Sequence, residues 1–258
     1  MSRAALVTGG GTGIGAAIAR RLRADGYEVC VTGRRREPLD AVAAECGALP
    51  VVADTGDHAD AERAVAEAKT AFGRLDLLVC NAGIGAGGTV EEQTPEGWDA
   101  VLRTNLTGAF LACRAALPEL VETKGSVVTI GSDSGLRAGP RSAAYCSAKA
   151  GLIMLTQCVA LDYGPHGVRA NCICPGWIRT PMADGEMDWL AGLKGSDREG
   201  AYELVTSRVP LRRAGNPGEI ASAVAWLASE EAGFTTGAVL TIDGGNSIVD
   251  SSATEFAA

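Results

Sequence analysis

Apolar and polar positions along this chain fall into two kinds of run. Short blocks in which nearly every residue is apolar recur at Ala4–Thr8, 28–32, 49–53, 75–80, Ser126–Ile130, 168–174 and 238–242. Continuous apolar runs of this length, closed by Gly, Asp, Asn or Pro, predict strands buried on both faces. Between the blocks, apolar residues recur every three or four positions, as Ile14, Ile18 and Leu22 do within Gly13–Ala24, and Leu39 and Val42 after the second block. That spacing predicts helices there, over 61–72, within 98–120, and over 144–163 and 217–229. Strands alternating with helices predict an α/β fold, an open parallel sheet with helices on both faces. One segment breaks the rhythm. Across 182–209, Met182, Met187, Trp189, Leu190, Leu193, Tyr202 and Val205 are scattered among glycines and acidic residues without a long regular pattern. We expect a mobile lid over an apolar substrate there; permanent cover of the core is the competing reading.

Composition narrows the picture. The chain has 258 residues and no linker-like stretch, so residues 1–258 are read as a single domain. Apolar residues make up 47% and charged residues 21%, which fits a soluble globular protein with a substantial core. The net charge of −8 excludes a general nucleic-acid binder, so any anion site must be local. Eight cysteines form no Cys-x-x-Cys pair, and Cys30, Cys80, Cys172 and Cys174 sit in apolar strand-like runs, which predicts buried thiols there; with only His58 and His166 present, no metal site is expected. Met1-Ser2-Arg3 leads directly into an apolar strand, with no leader and no run of the roughly 20 residues a membrane helix needs, so a cytoplasmic protein without membrane contact is expected. The polar tail after Gly245 is expected to be mobile.

Three stretches carry chemistry. Thr8-Gly9-Gly10-Gly11-Thr12-Gly13-Ile14-Gly15 joins the first strand to the first helix. Glycines there let the backbone approach a ligand, and amides at the helix start can face a pyrophosphate. An ordinary strand-to-helix turn is the alternative, although such a turn rarely needs five glycines. At the end of the second strand stands Gly33-Arg34-Arg35-Arg36. Sites for NAD place a carboxylate here, whereas arginine suits the 2′-phosphate of NADP. A solvated basic turn is the other reading. In Tyr145-Cys146-Ser147-Ala148-Lys149, phenol and ammonium lie on one helical face, and the charge is expected to lower a tyrosine pKa of about 10. Taken alone, this pair recurs by chance. Ser132, thirteen positions before Tyr145, could bring a hydroxyl to it from the fifth strand.

The spacing Gly9-x-x-x-Gly13-x-Gly15 together with Tyr145-x-x-x-Lys149 resembles the short-chain dehydrogenase/reductase family, and the resemblance runs from Ala4 to Gly245. It implies one doubly wound Rossmann domain with a seven-stranded sheet and hydride transfer between NADP(H) and a carbonyl or secondary alcohol, with NAD(H) as the alternative. By the same resemblance Ser132 orients the carbonyl, rather than Ser134; Tyr145 is the acid/base; and Lys149 lowers its pKa and holds the ribose. Asn105 kinks its helix and holds a water that relays protons to Lys149. Gly9, Gly11, Thr12, Gly13, Ile14 and Gly15 cradle the dinucleotide, with Arg34 and Arg35 at the 2′ position. Asp54 and Thr55 meet the adenine, and Asn81-Ala82-Gly83 meets the adenosine ribose, with Cys80 in a place the family often fills with a second asparagine. Pro175, Gly176, Ile178 and Thr180 border the nicotinamide. Relatives pair through the helices holding Asn105 and Tyr145, which implies a homodimer or homotetramer, and 3-oxoacyl and polyketide-type ketoreductases are the nearest substrate guide. An NAD-dependent alcohol dehydrogenase, or a dinucleotide sensor without catalysis, are the other readings. Extended relatives acting as dehydratases or epimerases need a larger carboxyl-terminal domain.

Overall fold

A computed structural model describes residues 2–85 and 87–250. Seven strands, β1 (Ala4–Thr8), β2 (Glu28–Gly33), β3 (Leu49–Val52), β4 (Leu77–Cys80), β5 (Ser126–Ile130), β6 (Arg169–Pro175) and β7 (Val239–Ile242), form one parallel sheet in the order β3-β2-β1-β4-β5-β6-β7. The chain runs outward from β1 to one edge, returns to β4, and then runs to the other edge. The strand order therefore reverses between β1 and β4, and the crevice past their carboxyl ends is where open α/β sheets bind ligands.

Helices cover both faces. On one lie α1 (Gly13–Ala24), α2 (Arg36–Cys46) and α9 (Pro217–Ala228), whose Ile18, Leu22, Leu39, Val42, Ile220 and Val224 join a core with the sheet. On the other lie α3 (His58–Phe72), α5 (Gly108–Thr123) and α6 (Ala143–Tyr163). Their ends follow local chemistry. Asp57 accepts the Asp60 amide at 3.0 Å to start α3, and Asn216 with Glu219 forms a capping box on α9.

Four expectations change. The fourth strand runs from Leu77 and not from residue 75, although the Asp76 backbone still bonds the Ala4 carbonyl and the Ser126 amide at 2.8 Å each, and its carboxylate accepts the Ala4 amide at 2.8 Å and pairs with Arg74. The stretch 98–120 is not one α-helix. After α4 (Pro95–Leu102), Arg103–Thr107 makes a π-helical turn, and α5 follows. The segment 182–209 is regular, folded as α7 (Pro181–Lys194) and α8 (Arg198–Thr206) around Met187 and Tyr202, each 1% exposed. Finally, Ala143–His166 is long and apolar enough to cross a membrane. It is nevertheless a core helix, with Ala144, Ala148, Leu152, Ile153 and Val159 buried in the protein. The tail expected to be mobile lies outside the described residues from residue 251 onward.

Candidate active site

A cleft of about 1660 Å³ opens along the carboxyl ends of the strands. One end is walled by the turn after β1. Gly9 and Gly13 sit at φ +65° and +54°, in the region that favours glycine. A side chain at Gly9 would meet Ala82 Cα at 2.8 Å. Thr12, the residue before α1, adopts an extended conformation and makes no side-chain cap, so the first amides of α1 are left to a ligand. Gly9, Gly11, Thr12, Gly13 and Ile14 line the cleft. Gly15 stands behind it: a Cβ there would lie 2.3 Å from the Gly9 carbonyl oxygen, so its task is to let the helix close on the turn.

The neighbouring strand ends complete this half. Arg34 and Arg35 follow β2 and line the cleft, and among the described residues neither guanidinium has an ion-pair partner. Asp54 and Thr55 follow β3, and Asp54 is already engaged, accepting the Gly56 amide at 3.0 Å and Arg103 at 3.2 Å. After β4, Asn81 serves as a brace: its Nδ2 donates to the Thr8 and Gly9 carbonyls at 2.9 and 3.1 Å. Thr8, which sequence reasoning passed over, accepts the amides of Asn81 and Ala82 on its hydroxyl at 3.0 and 3.1 Å. Ala82 and Gly83 then continue along the wall. A dinucleotide fits this half by its chemistry, with glycine-formed backbone, uncapped helix amides and two free guanidinium groups.

Ser132, Tyr145 and Lys149 line the middle of the cleft. Ser132 lies just past β5, where its hydroxyl donates to Asp133 Oδ1 at 3.2 Å and accepts the Ser134 amide at 3.1 Å. Tyr145 and Lys149 occupy the first turns of α6, and Lys149 Nζ sits 5.6 Å from the centre of the tyrosine ring. Enclosure overrides the lowering of the tyrosine pKa expected from Lys149. Its ammonium is directed to the Ile130 carbonyl at 2.7 Å, and burial pushes the Tyr145 phenol up to about 12, opposed by a hydrogen bond with Ser132 and reinforced by the charges of Glu186 and Asp133. Burial also pushes Lys149 down to about 8, against the pull of the Cys172 and Cys174 thiols.

Asn105 stands behind this centre, buried in the π-helical turn. Its Oδ1 accepts the Ile84 amide at 2.8 Å and its Nδ2 donates to the Ile84 carbonyl at 2.9 Å, which clamps the loop after β4. A Cβ at Gly83 would lie 3.4 Å from Asn105 Oδ1 and 3.6 Å from Lys149 Nζ, so the two side chains share the space behind that glycine.

At the far side, Pro175, Gly176, Ile178 and Thr180 line the cleft. Thr180 caps α7, accepting the Ala183 amide at 3.2 Å, and its methyl lies against the open face of Gly13. Sequence reading missed the polar groups of the substrate half, Asp133, Arg137, Glu186 and Asn246, because each is a single residue without a telling spacing. The only available signal for Asp133 was its place beside Ser132.

This arrangement, together with a family model described as enoyl-(acyl carrier protein) reductase that matches residues 9–247, places the chain in the short-chain dehydrogenase/reductase family of oxidoreductases, which bind a nicotinamide dinucleotide. Among its relatives, Protein MoaE from Klebsiella aerogenes is 43% identical, with 100% of each chain covered. Meso-2,3-butanediol dehydrogenase from Serratia marcescens is 35% identical, with 96% of each covered. A crystal structure of an actinorhodin polyketide ketoreductase variant with NADPH superposes with a TM-score of 0.92 at 34% identity, covering 96% of this chain and 98% of that one.

Proposed function

We propose that this protein is an NADP(H)-dependent oxidoreductase that interconverts a ketone and a secondary alcohol, with carbonyl reduction as its working direction. The observation that carries the reading is the meeting of Ser132, Tyr145 and Lys149 in the cleft that also holds the glycine turn. Names among the relatives, a butanediol dehydrogenase and a polyketide ketoreductase, support the alcohol–ketone class over the alkene reduction that the family model's description would suggest.

When bound, the reduced nicotinamide supplies the hydride. The chain supplies the rest. Tyr145, with its proton held tightly, is the acid that protonates the developing alkoxide, and the Ser132 hydroxyl donates to the same oxygen, leaving Asp133 to do so. Lys149 holds the ribose from below and, charged, stabilises the phenolate left behind. Asn105 fixes the loop against which Lys149 rests. Arg34 and Arg35 favour a 2′-phosphate, and Gly33 leaves no carboxylate to oppose it. Asp54 and Thr55 border the adenine, Ala82 and Gly83 the adenosine ribose, and Ile178 and Thr180 the carboxamide. The assembly we propose is a homodimer or homotetramer joined through α5 and α6, where Phe110, Met154 and Leu161 stand exposed.

The test is a panel of ketones and secondary alcohols with each cofactor, followed at the reduced-nicotinamide absorbance. Ketone turnover should favour NADPH over NADH, and Gly33→Asp should move the kcat/KM ratio toward NADH. Tyr145→Phe should lower kcat by about 10²- to 10⁴-fold with cofactor affinity kept. Cofactor binding without turnover of any ketone or alcohol would overturn the enzyme reading in favour of a sensor.

A further inference from the structure

The substrate half of the cleft holds three charged side chains besides those near the reacting centre, and two of them are neutralised. Arg141 pairs with Glu92 at 2.9 Å. Arg137 donates to the Asn246 carbonyl at 2.7 Å and pairs with Asp133 at 3.5 Å, and Asp133 is in turn held by Asn246 Nδ2 at 2.7 Å. Glu186, on α7, is the exception. It lines the cleft, and its Oε1 lies 3.2 Å from where a Cβ at Gly85 would stand, so the carboxylate lies against the loop after β4 at the rim of the substrate space. Among the described residues it has no hydrogen-bond or ion-pair partner. Partial enclosure by the cleft wall pushes its pKa up although the residue is exposed, and its charge is felt at the Tyr145 phenol. The residue is exposed on the open side of α7, so a ligand can reach its carboxylate directly.

What shares its face of the helix points to the kind of charge. Trp189 and Met182, three residues after and four residues before Glu186, lie on the same side of α7 and line the same cleft. Trp189 is 60% exposed, so its indole face is open to a ligand. An indole beside an unpaired carboxylate is a pairing that favours an organic ammonium, because the ring face attracts cations while the carboxylate accepts the N–H groups. Ile84, Leu190 and Val205 supply apolar wall around them.

We propose that Glu186 sets the substrate class of this site, and that the substrate is a ketone or secondary alcohol whose apolar body carries an ammonium group. The inference rests on the alcohol–ketone reading above and replaces the apolar substrate expected from residues 182–209 with an amphipathic, cationic one. Trp189 takes one side of the cation, Glu186 its hydrogen bonds, and the carbonyl extends toward Ser132 and Tyr145.

The test uses acetophenones substituted at the meta or para position with aminomethyl, hydroxymethyl, ethyl or carboxylate groups, reduced with NADPH at neutral pH. The wild-type protein should prefer an aminomethyl ketone over its hydroxymethyl and ethyl counterparts by at least about tenfold in kcat/KM, the size of one charge-assisted hydrogen bond. Glu186→Gln should erase that ratio, and Glu186→Lys should turn the preference toward the carboxylate. Circular dichroism of both variants separates loss of charge from loss of fold. Reduction of the ethyl ketone with no aminomethyl preference, or a preference that survives in Glu186→Gln, overturns this inference and leaves the ketone reading intact. A hydroxymethyl ketone reduced as well as the aminomethyl one would show a neutral donor site and overturn it equally. Failure to reduce any member, or to oxidise the matching alcohols, overturns both.

Discussion

At Tyr145 two influences compete for one proton. Enclosure disfavours the phenolate, Ser132 favours it, and the nearby carboxylates side with enclosure, leaving the group at about 12. A phenol with that pKa stays protonated through the neutral range, which suits a donor and hinders an acceptor. The pH profiles of the two directions should therefore differ in sign. Reduction needs the protonated phenol and should be nearly level from pH 6 to 8, falling above the Lys149 value of about 8 as that ammonium loses its proton and no longer stabilises the phenolate formed. Oxidation needs the phenolate, and its kcat/KM should rise with pH across the same interval. Initial rates in both directions across this range check the pair, and an oxidation profile that falls between pH 6 and 8 would count against Tyr145 as the base. Ser132, Tyr145 and Lys149 were legible as a set because their spacing is fixed by one strand end and one helix face. Glu186 was not, since a lone carboxylate among other acidic residues has no spacing to betray it.

Among the elements, legibility followed how much each one buries. β1 and β5 begin and end where their apolar blocks do, because every residue in them is enclosed. The pair α7 and α8 was obscured because much of its buried face is alanine, at Ala183, Ala191 and Ala201, with Gly185 and Gly192 inside α7. Alanine makes a strong helix and a faint apolar stripe. The pair has a core of its own: the Tyr202 hydroxyl donates to Asp184 Oδ1 at 2.8 Å, and Arg179 lies 4.3 Å over the Tyr202 ring. If it is a lid, it should open as one body rather than by melting. Hydrogen exchange should then report a single opening for both helices, slowed together by NADPH with a ketone or alcohol. Protection of α7 with fast exchange through α8 would show that the pair is not one unit.

At the scale of the molecule, the sheet divides labour between its two faces. On the α1 and α9 side Trp226 is the large apolar residue left exposed among the described residues of those two helices, while α5 and α6 carry several apolar residues outward. Phe110 is 47% exposed, Met154 59% and Leu161 78%, and all three belong to helices that also support the cleft. Burial of these side chains against a second copy would return roughly 1.5–3 kcal/mol for each one fully covered. Light scattering should find an oligomer, and Met154→Glu combined with Leu161→Glu should shift it toward monomer with weaker turnover. A monomeric wild-type protein at micromolar concentration would overturn the pairing.

The π-helical turn at Arg103–Thr107 has a further meaning for how such a site could be acquired. A π turn is geometrically an α-helix that has taken in one extra residue, with the helix on either side left in phase. Val101 and Ala109, both buried, stand eight positions apart; without the extra residue they would stand seven apart, still two α-helical turns. Removing Asn105 altogether should therefore fuse α4 and α5 into one uninterrupted helix with its core face preserved. Such a deletion is expected to give a folded protein, by circular dichroism and cooperative unfolding, whose loop after β4 has lost its clamp and whose turnover is lost with it. Failure of the deleted chain to fold would show that the turn is needed for the fold itself. If it folds, the extra residue is a graft: chemistry gained by lengthening a helix by one link, while the scaffold continues in its original frame.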